Sequence, residues 1–259
     1  MDKLLEDIIG TYETIGLKEA EKVKLFDRSD RKYIFSLEYL YPVLEALQPY
    51  YQVLEAGSYL NQPYFSIYYD TEEFSMFLAH HNNRPRRVKM RIREYKSTGV
   101  SFLEVKQKTR LGQTVKSREK AASMNDMIDE AHAAFIQEKT PFTREQLHAQ
   151  LITQFNRITL ISKERPERMT LDTQLSFTYR GRTLDLPQLV IAELKRESSR
   201  AVSRFPGEMK KHGIRPLSVS KYCLGMALLN PEIKHNLFNP KLAKVQKITQ
   251  TLYHDSLCS

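Results

Sequence analysis

The sequence predicts an α+β domain built around an antiparallel sheet or barrel, with helices packed outside it. Three observations lead there. Segments of two-residue polar–apolar alternation recur along the chain. Neighbouring segments are joined by short turns, as at Ser97-Thr98-Gly99 and Arg180-Gly181. Helix-patterned stretches stand before, between and after these pairs instead of alternating strictly with single strands.

In chain order, residues 1 to 25 read as one or two short amphipathic helices. Phe26 to Phe35 alternates and reads as a strand. Ser36 is placed as the N-cap of a helix over Leu37 to Leu47, with Glu38 and Glu45 on its outer face. Tyr64 to Tyr69 is a strand by composition, and Asp70-Thr71 starts a short helix to about His80. Val88 to Tyr95 and Ser101 to Lys108 form a hairpin; Gly112 marks a further turn, and Gln113 to Arg118 a third strand. Residues 123 to 136 and 143 to 154 read as helices separated at Thr140-Pro141. Strands resume at 155 to 162, 168 to 173, 175 to 180 and 187 to 195. Helices follow at about Ser198 to Lys211 and Ser218 to Leu229, then a basic, polar tail beyond Pro231. No repeat, low-complexity tract or Gly/Ser-rich linker divides the chain. The expectation is one domain over residues 26–230, with an N-terminal helical extension (1–25) and a basic C-terminal tail (231–259).

Composition narrows the class. At 41% hydrophobic and 27% charged, the chain has the balance of an ordinary soluble protein. The apolar run Leu186 to Ala192 is far too short for a bilayer, and no N-terminal basic-then-apolar segment reads as a secretory signal. Cys223 and Cys258 can build neither a disulfide framework nor a structural zinc site, so a reducing, cytoplasmic setting is expected. The formal charge of +9 calls for an anionic partner. Charge alone does not separate nucleic acid, membrane surface and phosphorylated small molecules.

The distribution of that charge is more informative. Side chains at i, i+2 and i+4 of a strand share a face. Lys89, Arg91 and Arg93 therefore point one way, against Val88, Met90 and Ile92. Glu104, Lys106 and Lys108 share a face, as do Lys116 with Arg118, and Glu193 with Lys195. A solvated outer face accounts for any one of these strands. It accounts poorly for all of them, because like charges on neighbouring strands repel, by about a kcal/mol or more per close pair at an effective dielectric near 20. Closing the sheet into a barrel turns the basic face into a water-filled bore and the apolar face toward outer helices. A polyanion there would meet Arg forks and Lys point charges suited to phosphate oxygens.

The residues then resemble a family. Arg28-Ser29-Asp30-Arg31-Lys32-Tyr33 is similar to an R-x-E-x-K-Y strand, with Asp30 in place of Glu; Lys89 to Tyr95 is similar to K-V-R-I-R-x-Y. Leu103-Glu104-Val105-Lys106 and Val115-Lys116-Ser117-Arg118 match L-E-x-K and V-K-x-R. Phe155-Asn156-Arg157 and Arg168 to Thr173 match Y-x-R and R-I-S-L-D-T. Ala192-Glu193-Leu194-Lys195 and Ser220 to Gly225 match L-E-V-K and S-K-Y-x-x-G. Eight motifs in this order, spanning Arg28 to Leu229, resemble the catalytic domain of the vacuolar transporter chaperone (VTC) polyphosphate polymerases, within the triphosphate tunnel metalloenzymes. Ser218 stands where some members place a further Lys.

The resemblance implies an eight-stranded antiparallel tunnel, ATP as phosphoryl donor to inorganic polyphosphate, and Mn²⁺ or Mg²⁺ as cofactor. Carried over by position, Lys32, Arg91, Arg93, Lys106 and Lys221 would act in catalysis. Arg28, Lys89, Lys116, Arg118, Arg157, Arg168 and Lys195 would bind phosphate. Glu193 would be the metal ligand and Glu104 a second or water-mediated one; a wall salt bridge to Lys106 or Arg91 is the other reading of Glu104. A hydrolase of the same superfamily is the first rival, whose E-x-E-x-K entry is replaced here by Arg28; a non-catalytic polyphosphate-binding module is the second. Nucleic acid is disfavoured, since the cations alternate on strands with no aromatic-rich recognition strand. There is no P-loop. A membrane partner protein is compatible with a chain that has no membrane segment of its own. His80-His81 reads as solvated, Tyr69 as either core or tunnel-facing, and Arg84-Pro85-Arg86-Arg87 as a basic loop at the tunnel mouth.

Overall fold

The structure is a computed structural model that describes residues 2–22, 28–110, 113–122, 124, 128–197 and 203–250. The elements in order are α1 (Lys3–Gly10), β1 (Thr14–Gly16), α2 (Leu17–Ala20), β2 (Arg28–Ser36), α3 (Leu40–Leu47), β3 (Tyr51–Glu55), β4 (Asn61–Asp70), α4 (Ser75–His81), β5 (Arg87–Tyr95), β6 (Val100–Lys108) and β7 (Thr114–Ala121). They continue with α5 (Ala133–Lys139), β8 (His148–Ser162), β9 (Glu167–Tyr179), β10 (Arg182–Leu186), β11 (Leu189–Glu197), α6 (Arg204–Lys211), α7 (Lys221–Leu229) and α8 (Asn239–Thr249). None of the described helices is long and apolar enough to cross a membrane.

Eight strands form one antiparallel path in the order β2-β11-β9-β8-β4-β5-β6-β7, and β1, β3 and β10 attach to its flank. The expected α+β class and eight-strand count both hold. Closure does not: β2 and β7 are the two ends of the path, and among the described residues no ladder joins them. The sheet is nonetheless strongly curled. Lys116 on β7 repels Lys195 on β11, and Lys32 on β2 repels both Lys89 on β5 and Lys106 on β6, although these strands are far apart along the path.

The alternation of each strand decides which side it buries. Outward-facing Tyr33, Phe35, Ile158, Leu160, Met169, Leu171, Ala192 and Leu194 pack beneath α1, α3 and α6. Outward-facing Ile67, Met90, Ile92, Leu103 and Val105 form a second cluster with Met76 of α4 and Ile136 of α5. The third cluster lies on the inner face. Ile34, Leu151, Phe155, Phe177 and Ile191 wrap α7, whose sequence is apolar on all sides and which is buried accordingly. The bore is therefore not water-filled throughout, as the alternation had implied; part of it holds a helix. At Gly225 of α7 an added Cβ would stand 2.7 Å from side-chain carbons of Leu151 and Phe177, so helix and wall meet at a distance that a glycine permits.

Several predicted elements are revised. Residues 143–154 are not a helix: a short 3₁₀ turn at Arg144–Gln146, closed by a Thr143/Gln146 capping box, leads directly into β8. Ladders to β4 and β9 hold that segment extended whatever its helical spacing. The two strands predicted at 168–173 and 175–180 are one, β9. Gln174 adopts a left-handed φ of 50°, and the register slips between Gln154 and Asn156 of β8. This bulge passes the inner face from Asp172 to Leu175 and Phe177. The helix predicted from Leu37 starts with a 3₁₀ turn, and Ser36 makes no side-chain cap bond. Strands β1, β3 and β10 went unpredicted. Of the helix predicted at 123–136, the described part is a 3₁₀ turn at Glu130–His132 and the start of α5. Gly112, Cys258 and residues 198–202 lie outside the described residues.

Candidate functional site

Beside the compartment filled by α7, the inner face is cationic. Register places Lys89, Lys106 and Lys116 directly opposite one another across β5, β6 and β7. Like charges in this arrangement destabilise a sheet. The effect shows in Lys106, whose ammonium is pushed down to about 8 by burial and by Lys116 and Lys89. Burial likewise lowers Lys89. Such a row is favourable only with an anion in front of it.

The carboxylates are distributed singly among these cations. Glu104 accepts from Arg91 Nε at 2.7 Å and from the Tyr95 hydroxyl at 3.2 Å; Arg91 also donates to the Tyr68 hydroxyl at 2.9 Å. Burial opposes charge on Glu104, but Arg91 and Arg93 outweigh it and hold the carboxyl at about 2. Glu193 stands between Lys32 (3.5 Å) and Lys195 (3.4 Å). It too is held below the ordinary carboxylate range: burial is overcome by Lys32, Lys195, Arg157 and Lys106. Asp172, 2% exposed, takes both arms of Arg157, at 2.5 and 2.7 Å, and the ammonium of Lys221 from the first turn of α7.

An aromatic floor separates this compartment from the apolar one. Tyr64 and Phe155 stack with centroids 5.2 Å apart and planes 3° from parallel. Arg93 and Arg157 lie over both rings, and Lys221 lies 4.3 Å from the Phe155 centroid. Cations held over aromatic faces keep their charge while losing water, so less hydration remains to be stripped when an anion arrives. Arg93 is further fixed by a 3.1 Å bond to Ser66 Oγ. At the far side of the floor, Asp70 accepts from the amides of Thr71, Met76 and Phe77 and from the Tyr222 hydroxyl, locking α4 to α7.

The structure brings together Lys32, Lys89, Arg91, Arg93, Lys106, Arg157, Lys195 and Lys221, with Glu104 and Glu193 among them. Lys116 joins them through its place opposite Lys106, and Arg118 lies on the same inner face, its guanidinium 4.7 Å from the Phe102 ring. Arg168 shares the inner face of β9 with Asp172 but gives a 2.6 Å bond to the Ala20 carbonyl, so it is tied to the N-terminal segment. Arg28 opens β2 opposite Glu197. For Glu104 the wall salt bridge, to Arg91, is present. Tyr69 faces the outer cluster; its neighbour Tyr68 is the tyrosine turned inward. His81 is buried rather than solvated, and so is Nε2 of His80, whose own imidazole is held neutral, its pKa pushed down to about 2 by burial and by Lys89, Arg87 and Lys106. Sequence reasoning missed Tyr68, His80 and Asp172. Asp172 was within reach, since the Arg168-Thr170-Asp172 alternation puts it on the basic face.

Among the described residues no group of three or more His, Cys, Asp or Glu side chains converges as a closed metal cage. That donor set suits a hard divalent ion taking one carboxylate from the protein and the rest of its oxygens from phosphates and water. Glu193, ionised and ringed by lysines, fits such a role.

Among solved structures, the fold is similar to a presumptive adenylate cyclase from Bacillus halodurans (16% identity, 76% of this chain and 96% of that one, TM-score 0.47). It is also similar to a presumptive adenylyl cyclase from Hippeastrum, described as having a dominant triphosphatase activity (14% identity, 78% and 96%, TM-score 0.46). No curated protein matches the sequence. The VTC domain profile matches residues 27–230, from just ahead of β2 to just past α7, and so takes in every inward-facing charge described above. This chain belongs to the VTC domain family.

Proposed function

We propose that the chain is a polyphosphate polymerase that transfers the γ-phosphoryl group of ATP to the end of an inorganic polyphosphate chain, in the cytoplasm, with Mn²⁺ or Mg²⁺ as cofactor. The observation that carries this reading is the convergence of cations from β2, β5, β6, β8, β11 and α7 on the inner face of one curled sheet. Membership in the VTC domain family supports it.

In this reading a terminal phosphate oxygen of the acceptor attacks the γ-phosphorus in line. The bond from that phosphorus to the β,γ-bridging oxygen breaks, ADP leaves with the electron pair, and the acceptor gains one phosphoanhydride link. The protein needs no nucleophile of its own; its work is positioning and charge. The Arg91 and Arg157 guanidiniums, each already held by a carboxylate, present their remaining donors in fixed directions. The lysine row and Lys221 neutralise the equatorial oxygens and the leaving diphosphate without reorganising. A divalent ion held by Glu193, with Glu104 as a second, water-mediated ligand in this reading, would add Lewis-acid polarisation of the phosphoryl oxygens.

The test is incubation with ATP and Mn²⁺ followed by sizing of the products on a gel. Chains of graded length are expected. Orthophosphate alone would establish the hydrolase, and polyphosphate binding without ATP turnover would establish a binding module. Glu193→Gln should remove metal-dependent turnover in a chain that still folds, with a lowered unfolding midpoint because Lys32 and Lys195 lose their shared carboxylate.

A further inference from the structure

Among the described residues, the inner carboxylate that bonds two of the proposed phosphate ligands and two different layers of the fold is Asp172. Oδ1 and Oδ2 accept from Nε and Nη2 of Arg157 on β8, and Oδ2 also accepts from the ammonium of Lys221 on α7. The group is 2% exposed, so water does not share these bonds. We propose that Asp172 is a positioning residue of this site: its carboxylate fixes the Arg157 guanidinium and holds the Lys221 amine as the ammonium that a phosphate chain requires. This rests on the phosphate reading of the bore and adds to it a part for an acid in a cation-lined passage.

The physical case is one of competition around Lys221. Arg157 faces it from β8, Lys32 from β2 and Tyr68 from β4, with the Phe155 ring against it; Asp172 from β9 is the carboxylate that offsets them. Burial already pushes the Lys221 ammonium down to about 8, with Arg157 and Lys32 acting in the same direction and Asp172 against them. Without Asp172, the buried amine beside two cations would give up its proton to solvent at a lower pH. It would then have a lone pair, not a charge, to offer a phosphate oxygen. The bidentate pair does the corresponding work for Arg157, whose planar fork has one orientation in which both arms are bonded. As Lys221 begins α7, the same carboxylate also sets where the plug helix starts relative to the wall.

The experiment is calorimetric titration of tripolyphosphate, without metal or ATP, into the native chain and Asp172→Asn between pH 6 and 9. Native affinity should fall as pH rises through about 8. In Asp172→Asn the fall should come at least one pH unit lower, leaving binding at pH 8 about tenfold weaker than at pH 6.5. In a Lys221→Arg background, where the charge cannot titrate, Asp172→Asn should not move the midpoint; a merely structural aspartate would act alike in both backgrounds. If the Asn variant does not fold, Asp172→Ser provides the same comparison. An unmoved midpoint in a folded variant that binds tripolyphosphate overturns the proposal and leaves the phosphate reading intact. Failure of the native chain to bind at any pH removes that reading and this proposal with it.

Discussion

The same inward-facing positions serve two opposite purposes within this curled sheet. On β2 the inner residue is Ile34 against α7 and Lys32 two places earlier; on β11 it is Ile191 and then Glu193; on β8 it is Leu151 and later Arg157; on β9 it is Phe177 and, across the bulge, Asp172. One compartment is dry and closed by a helix that is apolar all round. The other is lined by cations held apart by isolated carboxylates. The comparison teaches that strand alternation specifies which residues face inward but not what the interior is. The boundary is set by where a helix can be seated, and α7, apolar along its body and cationic at Lys221, belongs to both sides.

If the apolar compartment supplies stability and the cationic one supplies function, the largest single effect should come from Phe177, fully buried against α7. Phe177→Ala removes a ring from a packed interior and should lower stability by about 3–5 kcal/mol, the usual range for such a truncation. Urea denaturation checks the size of the loss. Turnover per folded molecule, measured at low temperature, should change by less than threefold; a collapse of activity in the folded variant would mean that the two compartments are not separable.

Acid should strike the other side. Glu104 sits near 2 against an ordinary 4.5, and Asp172 and Glu193 are also depressed. Groups whose folded values lie below their unfolded ones contribute stability above the unfolded value and lose it as pH falls through the folded one. For Glu104 alone the linkage is on the order of 3 kcal/mol. The unfolding midpoint should therefore drop steeply from about pH 4.5 down to pH 2. A flat profile over that interval would show that the inner ion pairs contribute nothing net.

How much of this was legible in advance follows from the same division. The charged strands were readable because repeated lysines and arginines on the inward positions of β5, β6 and β7 are costly unless they face an anion, and the sequence carries that pattern openly. Glu193 was readable from the same alternation, whereas Lys32, Arg157 and Lys221 were located only by the resemblance of their motifs to those of the family. The filling of the bore was not readable from Leu151 or Ile191, since an apolar inner residue looks the same whether it meets a helix or its counterpart across a barrel. Residues 143–154 misled because Leu147, Leu151 and Ile152 have helical spacing, and only pairing with β4 decides for the strand. The face of Asp172 was legible, whereas its partners come from β8 and α7, which only the fold brings together.

Lys106 tests whether the cationic side is maintained against stability. It lies opposite both Lys89 and Lys116, so Lys106→Met, which keeps the length and removes the charge, relieves repulsion. The expected result is turnover reduced about 100-fold, close to 3 kcal/mol of transition-state stabilisation. The unfolding midpoint should rise by about 2–4 °C, as about 1 kcal/mol gives in a chain of this size. A lower midpoint would mean that the lysine row is held by bonds that outweigh its repulsion.

The smallest expected effect sharpens the boundary itself. Gly225→Ala puts a methyl 2.7 Å from Leu151 Cδ2 and Phe177 Cδ1, contacts that require those side chains or α7 to shift. Overpacking of this kind costs roughly 1–3 kcal/mol, and the better helix propensity of Ala returns up to about 1. The net loss should be about 1 kcal/mol, seen as a fall of 2–4 °C in the unfolding midpoint. The informative measurement is tripolyphosphate affinity in the same variant. Lys221 lies one turn earlier on the same helix, anchored to Asp172. If that anchor fixes the start of α7, the strain should be absorbed toward Leu229 and the affinity should stay within twofold of native. A larger loss would show the helix sliding as a rigid rod, with packing in the apolar compartment setting the position of a phosphate ligand in the other.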